Sequence, residues 1–254
     1  MRIAIITGAS SGLGAEYIKQ IDEKYRFSEL WIIARRKERL ENIARETRTK
    51  VRVLAMDLTD TAMREKLASI LERIKPVVGL LINAAGMGKI GRYDEIGPQN
   101  ELAMIRLNCE AAVAVTQIVL PYMRKGSRIM QICSTAAFQP LQGLSVYAAS
   151  KAFLLRYSRG LGAELLGTGI RVTAVCPYWI KDTEFIPVAK ETESSAVRHF
   201  PFASVKRSVA AVSLWASKVG FPVCTPGIFC TIHRIISIIP DTVLMLGWEG
   251  IRRI

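Results

Sequence analysis

The sequence predicts an α/β fold, a single doubly wound domain in which a parallel sheet is flanked by helices. Short, almost continuously apolar runs alternate with longer amphipathic segments over residues 2–177. Such runs are typical of strands that are buried on both faces of a parallel sheet. The alternation continues through six strand–helix units, which is the pattern of a doubly wound sheet. Because no linker, fixed repeat or low-complexity tract interrupts it, residues 1–254 are interpreted as one domain.

The elements follow from these runs in chain order. The predicted strands are the apolar runs at 2–7, 30–34, 51–56, 78–83, 127–134 and 170–177. The predicted helices are the amphipathic segments near 12–25, 37–47, 60–75, 100–125 and 147–166. Thr59 or Asp60 is the expected N-cap of the third helix. After residue 177 the alternation stops, and 178–254 is expected to form a variable substrate-binding insertion with a helical C-terminal extension, including an amphipathic helix in 201–220.

Composition narrows the classes of partner. Lys and Arg number 35 against 22 Asp and Glu, a formal charge of +13. The basic residues are scattered and form no nucleic-acid-binding motif, so we interpret them as a generally basic surface and expect no nucleic-acid partner. With only His199 and His233, no histidine cluster for a metal is expected.

Cysteine usage and the chain start bear on location. The five cysteines contain no C-x-x-C pair, and two of them lie in predicted strands. This usage favours reduced, intracellular thiols. The first seven residues predict a strand rather than a signal peptide, so a cytoplasmic location is expected. The apolar stretch 221–248 is interrupted by charges and prolines and does not predict a membrane-spanning helix.

A glycine-rich turn follows the first strand in the segment TGASSGLG, residues 7–14. Gly8, Gly12 and Gly14 fall where a tight turn, close approach to a phosphate and close helix–strand packing each exclude a side chain. The turn opens a predicted helix, whose N-terminal amides favour an anion. The pattern predicts a dinucleotide-binding site.

Tyr147 precedes Lys151 by four residues in SVYAASKAF, residues 145–153. Residues at this spacing are neighbours on a helix, and alone the pair is common. Its meaning comes from the residues around it. In chain order these are the TGASSGLG turn, Asp57, the NAAG segment 83–86, Asn108, Ser134, Tyr147 and Lys151.

Over about residues 2–177 this ordered set resembles the short-chain dehydrogenase/reductase family. The resemblance implies a Rossmann-type fold and an oxidoreductase that exchanges hydride between a nicotinamide cofactor and a ketone or secondary alcohol. It implies catalytic roles for Ser134, Tyr147 and Lys151, with Asn108 holding a water that relays protons from Lys151. Because a nearby cation stabilises a phenolate, we expect Lys151 to lower the pKa of Tyr147.

The resemblance and the glycine pattern together define a predicted cofactor set. It comprises Gly8, Ser10, Ser11, Gly12, Leu13, Gly14, Arg35, Arg36, Asp57, Leu58, Asn83, Ala84, Gly86, Tyr147, Lys151, Pro177, Ile180 and Thr183. The carboxylate of Asp57 is expected to contact the adenine amino group. At 177–185 the chain reads PYWIKDTEF. Tyr178 stands where the family has glycine, and Thr183 comes about one residue later than the family's threonine.

The end of the second strand predicts the cofactor. Relatives that bind NAD usually carry an acidic residue there, whereas this chain has Ala34 followed by Arg35 and Arg36. Guanidinium groups pair with a 2′-phosphate and an acid would repel it. NADP(H) is therefore predicted, the alternative being that the two arginines only begin a solvated basic helix.

Tyr178, Trp179, Phe185 and Phe200 suggest an apolar substrate pocket. The PYW segment and the apolar C-terminal extension resemble those of hydroxysteroid dehydrogenases and long-chain ketoacyl reductases, so a hydroxysteroid or bile acid is the first expectation. A long-chain 3-ketoacyl substrate, a general carbonyl substrate and simple core packing remain alternatives. A dinucleotide-sensing protein without catalysis is the non-enzymatic alternative.

Two predictions concern partners. The predicted helices 100–125 and 147–166 are apolar on more than one side, so each needs a second cover besides the sheet. The resemblance implies that a second copy provides it, giving a homodimer or a tetramer built from it; the alternative cover is the chain's own C-terminal segment. That segment is apolar and ends in Arg252 and Arg253, which also suggests peripheral membrane contact.

Overall fold

A parallel seven-stranded sheet forms the centre of the molecule. The computed structural model describes residues 1–191 and 203–253, with side chains as far as residue 247. Its strands lie in the order β3-β2-β1-β4-β5-β6-β7. They are β1 (Arg2–Thr7), β2 (Glu29–Ala34), β3 (Val51–Ala55), β4 (Val77–Asn83), β5 (Arg128–Ile132), β6 (Arg171–Val175) and β7 (Val223–Cys224). The predicted α/β doubly wound fold and its six predicted strands are confirmed.

Helices cover both faces of this sheet. The helices of the described residues are α1 (Gly12–Lys24), α2 (Lys37–Glu46), α3 (Thr61–Ile74), α4 (Tyr93–Ile96), α5 (Pro98–Ile105), α6 (Ala111–Val119), α7 (Ser145–Glu164), α8 (Phe185–Ala189), α9 (Lys206–Val219), α10 (Ile228–Ile236) and α11 (Asp241–Arg253). Asp60 caps α3, its carboxylate accepting a hydrogen bond from the amide of Ala62 at 2.9 Å.

Alternate side chains of each strand enter two separate cores. Ile3 and Ile5 of β1 pack with side chains of α3, α6 and α7 on one face. Ala4 and Ile6 pack with side chains of α1, α2 and α9 on the other. Burial on both faces explains why the strands are apolar throughout rather than alternating.

The strand order reverses beside β1, which lies between β2 and β4. Thr7, the last residue of β1, is in register with Asn83, the last residue of β4. In open parallel sheets a ligand crevice lies outside the carboxyl ends of the strands at such a reversal. The loops that follow β1 and β4 therefore face each other across the place where a ligand is expected.

The predicted helix 100–125 is one helical run with a change of winding in its middle. A π turn at Arg106–Glu110 separates α5 from α6, and a short 3₁₀ turn ends the run at Leu120–Tyr122. By length and composition Pro98–Tyr122 is the one helix among the described residues that could cross a membrane, but it is partly buried within the fold as a core helix. The π turn carries Asn108 into the interior.

The region after β6 contains a short strand, the expected amphipathic helix and a contact between α10 and the turn after β5. β7 is only two residues long and pairs with the end of β6. The amphipathic helix expected in 201–220 is α9, which begins only at Lys206. The ring of Phe138, in the turn after β5, lies edge-on to the ring of His233 in α10, with 6.4 Å between their centroids. The C-terminal extension thus packs beside the end of β5.

Candidate active site

One continuous cleft of about 460 Å³ runs along the carboxyl ends of the central strands. Its lining includes most of the predicted cofactor set, namely Gly8, Ser10, Ser11, Gly12, Leu13, Gly14, Arg35, Arg36, Asp57, Leu58, Ala84, Gly86, Tyr147, Lys151, Pro177, Ile180 and Thr183. Ser134 lines it as well. The structure therefore brings together groups from six strand ends, as a dinucleotide site with an adjoining reaction site requires.

The glycine-rich turn lies against the loop after β4 with no room for side chains. Gly8 has a φ of +64°, and a Cβ on it would lie 2.6 Å from the carbonyl oxygen of Ala84. A Cβ on Gly14 would collide with the carbonyl of Gly8 itself. The free amides at the start of α1 consequently border the cleft, where they favour an anionic group.

Arg36 ties the end of β2 to this turn. Its guanidinium donates to the hydroxyl of Ser10 at 3.1 Å and to that of Ser11 at 2.7 Å. Arg35 behaves differently: its side chain is 76% exposed and lies 3.9 Å from the carboxylate of Asp57. Of the two predicted phosphate-binding arginines, Arg36 is held at the turn and Arg35 stands outside it.

The predicted acid–base residues meet at the inner end of the cleft. Ser134 follows β5 and starts a 3₁₀ turn, its hydroxyl accepting from the amide of Ala136 at 3.1 Å. Tyr147 is buried in the first turn of α7, where the Ser134 hydroxyl is near enough to lower the pKa of its phenol in part. Lys151 lies one helical turn further on, its ammonium nitrogen 5.8 Å from the centre of the Tyr147 ring. The arrangement places a hydroxyl donor, a phenol and an amine at one point.

The expected lowering of the pKa of Tyr147 is not found in this structure. Burial raises the pKa of Tyr147 to about 12, and the hydrogen bond with Ser134 lowers it only in part. The ammonium of Lys151 donates instead to the carbonyl of Ile132 at 2.9 Å. Burial also lowers the pKa of Lys151. At neutral pH Tyr147 is therefore a protonated phenol, the form that donates a proton.

Asn108 is fully buried at the π turn and acts as a clamp. Its amide donates to the carbonyl of Met87 at 2.9 Å and to the hydroxyl of Ser150 at 3.0 Å. Its oxygen accepts from the amide of Met87 at 2.9 Å. The side chain thus fixes the loop after β4 to α7. Protein groups take up both of its donors, so the proton relay that the resemblance implied stays a prediction.

The side chain of one predicted cofactor residue, Asn83, points away from the cleft, so any contact with the cofactor would come from its backbone. Asn83 does not line the cleft: its amide donates to the hydroxyl of Thr116 at 2.9 Å, under the sheet. As the last residue of β4 it points toward α6. Asp57 lines the cleft, but one of its oxygens is occupied by the amide and hydroxyl of Thr59, at 2.9 and 2.7 Å. Only the other oxygen is left for the adenine contact that we predicted.

The uncertain residue Thr183 is brought to the cofactor side of the cleft. A Cβ placed on Gly12 would lie 3.5 Å from the Cβ of Thr183. Its hydroxyl donates to the carbonyl of Ile180 at 3.0 Å, so the two residues form one turn. The chain after β6 therefore crosses back over the glycine-rich turn.

The outer part of the cleft is apolar and aromatic. Tyr178, Trp179 and Phe185 line it as expected, whereas Phe200 lies outside the described residues. Sequence reasoning missed further lining residues, among them Leu141, Leu144, Val188, Glu184 and His233. Leu141 and Leu144 carried a signal, because they lie between the predicted Ser134 and Tyr147. Glu184 and His233 carried none, since only the fold brings them to the cleft.

Fold and site together define a dinucleotide-binding oxidoreductase with a serine, tyrosine and lysine reaction centre. Comparison with known proteins agrees. A model of the short chain dehydrogenase family matches residues 2–194. The chain belongs to this family and is an oxidoreductase that acts on alcohol or ketone groups.

Individual relatives are similar over most of the chain. A very-long-chain 3-oxoacyl-CoA reductase from Anas platyrhynchos is 29% identical over 253 residues, which are 95% of this chain and 77% of that protein. A short-chain dehydrogenase from Sphingobium yanoikuyae, solved in complex with NADPH, is 28% identical with a TM-score of 0.79 and covers 94% of this chain and 93% of its own. A bulky-bulky ketone specific alcohol dehydrogenase from Comamonas testosteroni is 27% identical with a TM-score of 0.74, and the match covers 90% of this chain and 87% of that protein.

Proposed function

We propose that this protein uses NADP(H) to interconvert a ketone and a secondary alcohol on a bulky apolar substrate. The observation that carries the proposal is the placement of Arg36 at the glycine-rich turn, at the opposite end of one cleft from Ser134, Tyr147 and Lys151. A cation stands where a 2′-phosphate requires one, and a proton donor stands where a carbonyl requires one.

The residues of the cleft fit a dinucleotide phosphate. Gly8 and Gly14 leave a cradle that any Cβ would fill, so backbone amides can approach a pyrophosphate closely. Arg36 would hold the 2′-phosphate, Leu58 would border the adenine, and Lys151 would hold the nicotinamide ribose. When bound, the nicotinamide supplies or accepts the hydride at the substrate carbon.

The chain's own residues supply the remaining chemistry. In reduction, the carbonyl oxygen gains negative charge, which a hydrogen bond from Ser134 stabilises. The buried phenol of Tyr147 gives its proton to that oxygen, and in oxidation it takes the proton back. The charge of Lys151 favours the phenolate left behind. Phe185 lies beside Tyr147, with 5.6 Å between their ring centres, and Trp179 packs on Phe185 at 6.5 Å. These two side chains would exclude water from the phenol.

The apolar outer cleft supports a bulky apolar substrate class. Relatives named for very-long-chain 3-oxoacyl-CoA reduction and for bulky ketones are similar to this chain, which favours a long-chain 3-oxoacyl substrate over the hydroxysteroid expected first. We propose to measure loss of NADPH absorbance with four substrate panels: 3-oxoacyl thioesters of increasing length, steroid ketones, bile-acid ketones and small ketones. Turnover that rises with acyl length supports the assignment, and turnover confined to small ketones contradicts it.

Replacing Arg35 and Arg36 by alanine should weaken NADPH binding far more than NADH binding. A charge-assisted hydrogen bond contributes about 1.5–3 kcal/mol, so loss of one bond from Arg36 lowers NADPH affinity by roughly 10- to 150-fold. NADH has no 2′-phosphate and should change little. The measurement is the fluorescence of the bound reduced nicotinamide.

The matched control for this pair is Lys37→Ala. Lys37 is the next basic residue and is 71% exposed, pairing with Glu41 rather than with the turn, so its loss should leave both affinities unchanged. Equal weakening of NADPH and NADH in the arginine variant would show that the arginines support structure. A wild-type preference for NADH would overturn the cofactor assignment.

We also propose that the protein forms a homodimer through α5 and α7. Leu102 and Ile105 of α5 and Phe153 of α7 are half exposed although they are large and apolar. Among the described residues, the C-terminal segment packs on the turn after β5 and leaves these side chains uncovered. A second copy related by a two-fold axis would bury the same patch on both subunits.

Light scattering at micromolar concentration is expected to give at least twice the chain mass of 28.2 kDa. Phe153→Glu should shift the protein toward monomer, because it places a charge in the buried patch. The control is Trp215→Glu, which changes an exposed aromatic side chain on α9. A monomer mass for the unaltered protein would contradict the proposal.

We also propose that the C-terminal segment contacts a membrane surface, as the sequence predicts. Ile228, Ile232 and Ile235 of α10 are exposed, on a strongly amphipathic helix of a chain whose formal charge is +13. Such a helix suits the surface of an anionic lipid bilayer.

A further inference from the structure

A carboxylate from the segment after β6 pairs with Arg36, one of the two predicted phosphate-binding arginines, and with Arg39 one helical turn further on. Glu184 follows β6, yet its two oxygens lie 2.9 Å from a nitrogen of Arg36 and 2.5 Å from a nitrogen of Arg39. These hydrogen bonds lower the pKa of Glu184 to about 2. The group is therefore an anion at every pH at which the enzyme would be assayed.

Each nitrogen of the Arg36 guanidinium makes at least one hydrogen bond. Its Nε and one terminal nitrogen donate to Ser10 and Ser11, and its other terminal nitrogen donates to Glu184. An incoming 2′-phosphate needs hydrogen-bond donors from this guanidinium, and two of its three nitrogens already donate to the glycine-rich turn. Glu184 pairs with the one Arg36 nitrogen that is not committed to the turn, so a phosphate and this carboxylate would draw on the same nitrogen.

The same contact fastens one end of α8 over the cleft. Glu184 directly precedes α8, and Phe185 and Val188 of this helix line the cavity. The other end is held by Lys89, whose ammonium donates to Glu191 at 2.6 Å and to the carbonyl of Val188 at 3.0 Å. Two ion pairs thus hold α8, and only the first involves the cations beside the glycine-rich turn.

We propose that Glu184 is a specificity-determining residue that competes with the 2′-phosphate of NADP(H) for Arg36 and Arg39. Binding of NADP(H) breaks the contact and releases the leading end of α8. Binding of NAD(H) leaves the contact in place, since NAD(H) has no phosphate at this position. Glu184 consequently reduces the preference for NADP(H) and links the identity of the cofactor to the helix that covers the substrate pocket. The inference rests on the cofactor assignment proposed above.

The test is the affinity of Glu184→Gln for NADPH and NADH without substrate, measured by nicotinamide fluorescence. Removing competition from exposed ion pairs should tighten NADPH binding by about two- to tenfold and leave NADH binding unchanged. Glu184→Ala should act in the same direction, because it also removes a hydrogen-bond acceptor. Thermal unfolding of both variants verifies that they are folded, as expected for a side chain that is 48% exposed.

The matched control is Glu191→Gln. It loosens the other end of α8 without touching the arginines, so it should leave the ratio of NADPH to NADH affinity unchanged. A ratio that rises equally in Glu191→Gln would show that helix mobility is responsible, and the competition would be refuted. Weaker binding of both cofactors by Glu184→Gln would likewise overturn it, by showing that Glu184 only holds the cleft together.

A fragment experiment separates this inference from the cofactor assignment. Adenosine 2′,5′-bisphosphate and adenosine 5′-monophosphate differ only in the 2′-phosphate, and calorimetry measures each directly. If the unaltered protein does not prefer the bisphosphate, the NADP(H) assignment fails. If it does prefer the bisphosphate and Glu184→Gln leaves that preference unchanged, the assignment stands and the role of Glu184 is refuted.

Discussion

Replacing Tyr147 by phenylalanine is expected to lower kcat by about 10²–10⁴-fold, the usual contribution of a positioned acid or base. The phenol lies beside Ser134, and burial raises its pKa to about 12, so it is protonated at neutral pH. Its ring packs against Phe185 and is buried, so the variant keeps its apolar contacts. NADPH should still bind, because the glycine-rich turn and Arg36 are untouched.

Two quantities are measured for each variant: the rate of NADPH consumption with substrate, and the fluorescence of bound NADPH without substrate. Tyr157→Phe serves as the matched control, since Tyr157 lies on the same helix and stacks on Phe153 outside the cleft. It should retain full turnover. Turnover near the normal rate in Tyr147→Phe would remove Tyr147 as the proton donor, whereas no turnover by the unaltered protein on any panel would favour the non-catalytic alternative.

The sheet and the reaction centre were predictable because local rules fix them. Apolar runs bounded by turn residues located six strands. The reversal of strand order then follows from the doubly wound pattern and places the ends of β1 and β4 together. The roles of Ser134, Tyr147 and Lys151 were predictable only through the resemblance to a family, because the ordered set of motifs gives meaning to a pair that is common when it stands alone.

The remaining features depend on long-range contacts that no local pattern encodes. Glu184 reaches Arg36 only because the chain after β6 folds back over the turn. Asn83 was assigned to the cleft from its motif, but alternation along β4 directs its side chain to Thr116. The raised pKa of Tyr147 comes from burial, which chain position does not show.

Lys151→Ala should impair both turnover and cofactor binding, which distinguishes it from Tyr147→Phe. The ammonium is the charge that favours the phenolate of Tyr147, and it is the group proposed to hold the nicotinamide ribose. A hydrogen bond from a charged group contributes about 1.5–3 kcal/mol, so NADPH affinity should fall by roughly 10- to 150-fold. A Cβ on Gly86 would lie only 3.2 Å from this nitrogen, so Lys151→Arg, whose head group is larger, should not restore activity.

The pH dependence of NADPH binding tests independently whether the charge of Lys151 contributes to cofactor affinity. Burial disfavours the charged ammonium and lowers the pKa of Lys151 below the ordinary lysine value. As pH rises through this lowered pKa the ammonium becomes a neutral amine, so affinity for NADPH should decline at a pH below about 10.4, the value for a free lysine. The decline should be absent in Lys151→Ala, which has no proton to lose at this position. An affinity that is unchanged by Lys151→Ala at neutral pH would contradict the ribose contact, whereas unchanged affinity combined with lost turnover would confine Lys151 to the support of Tyr147.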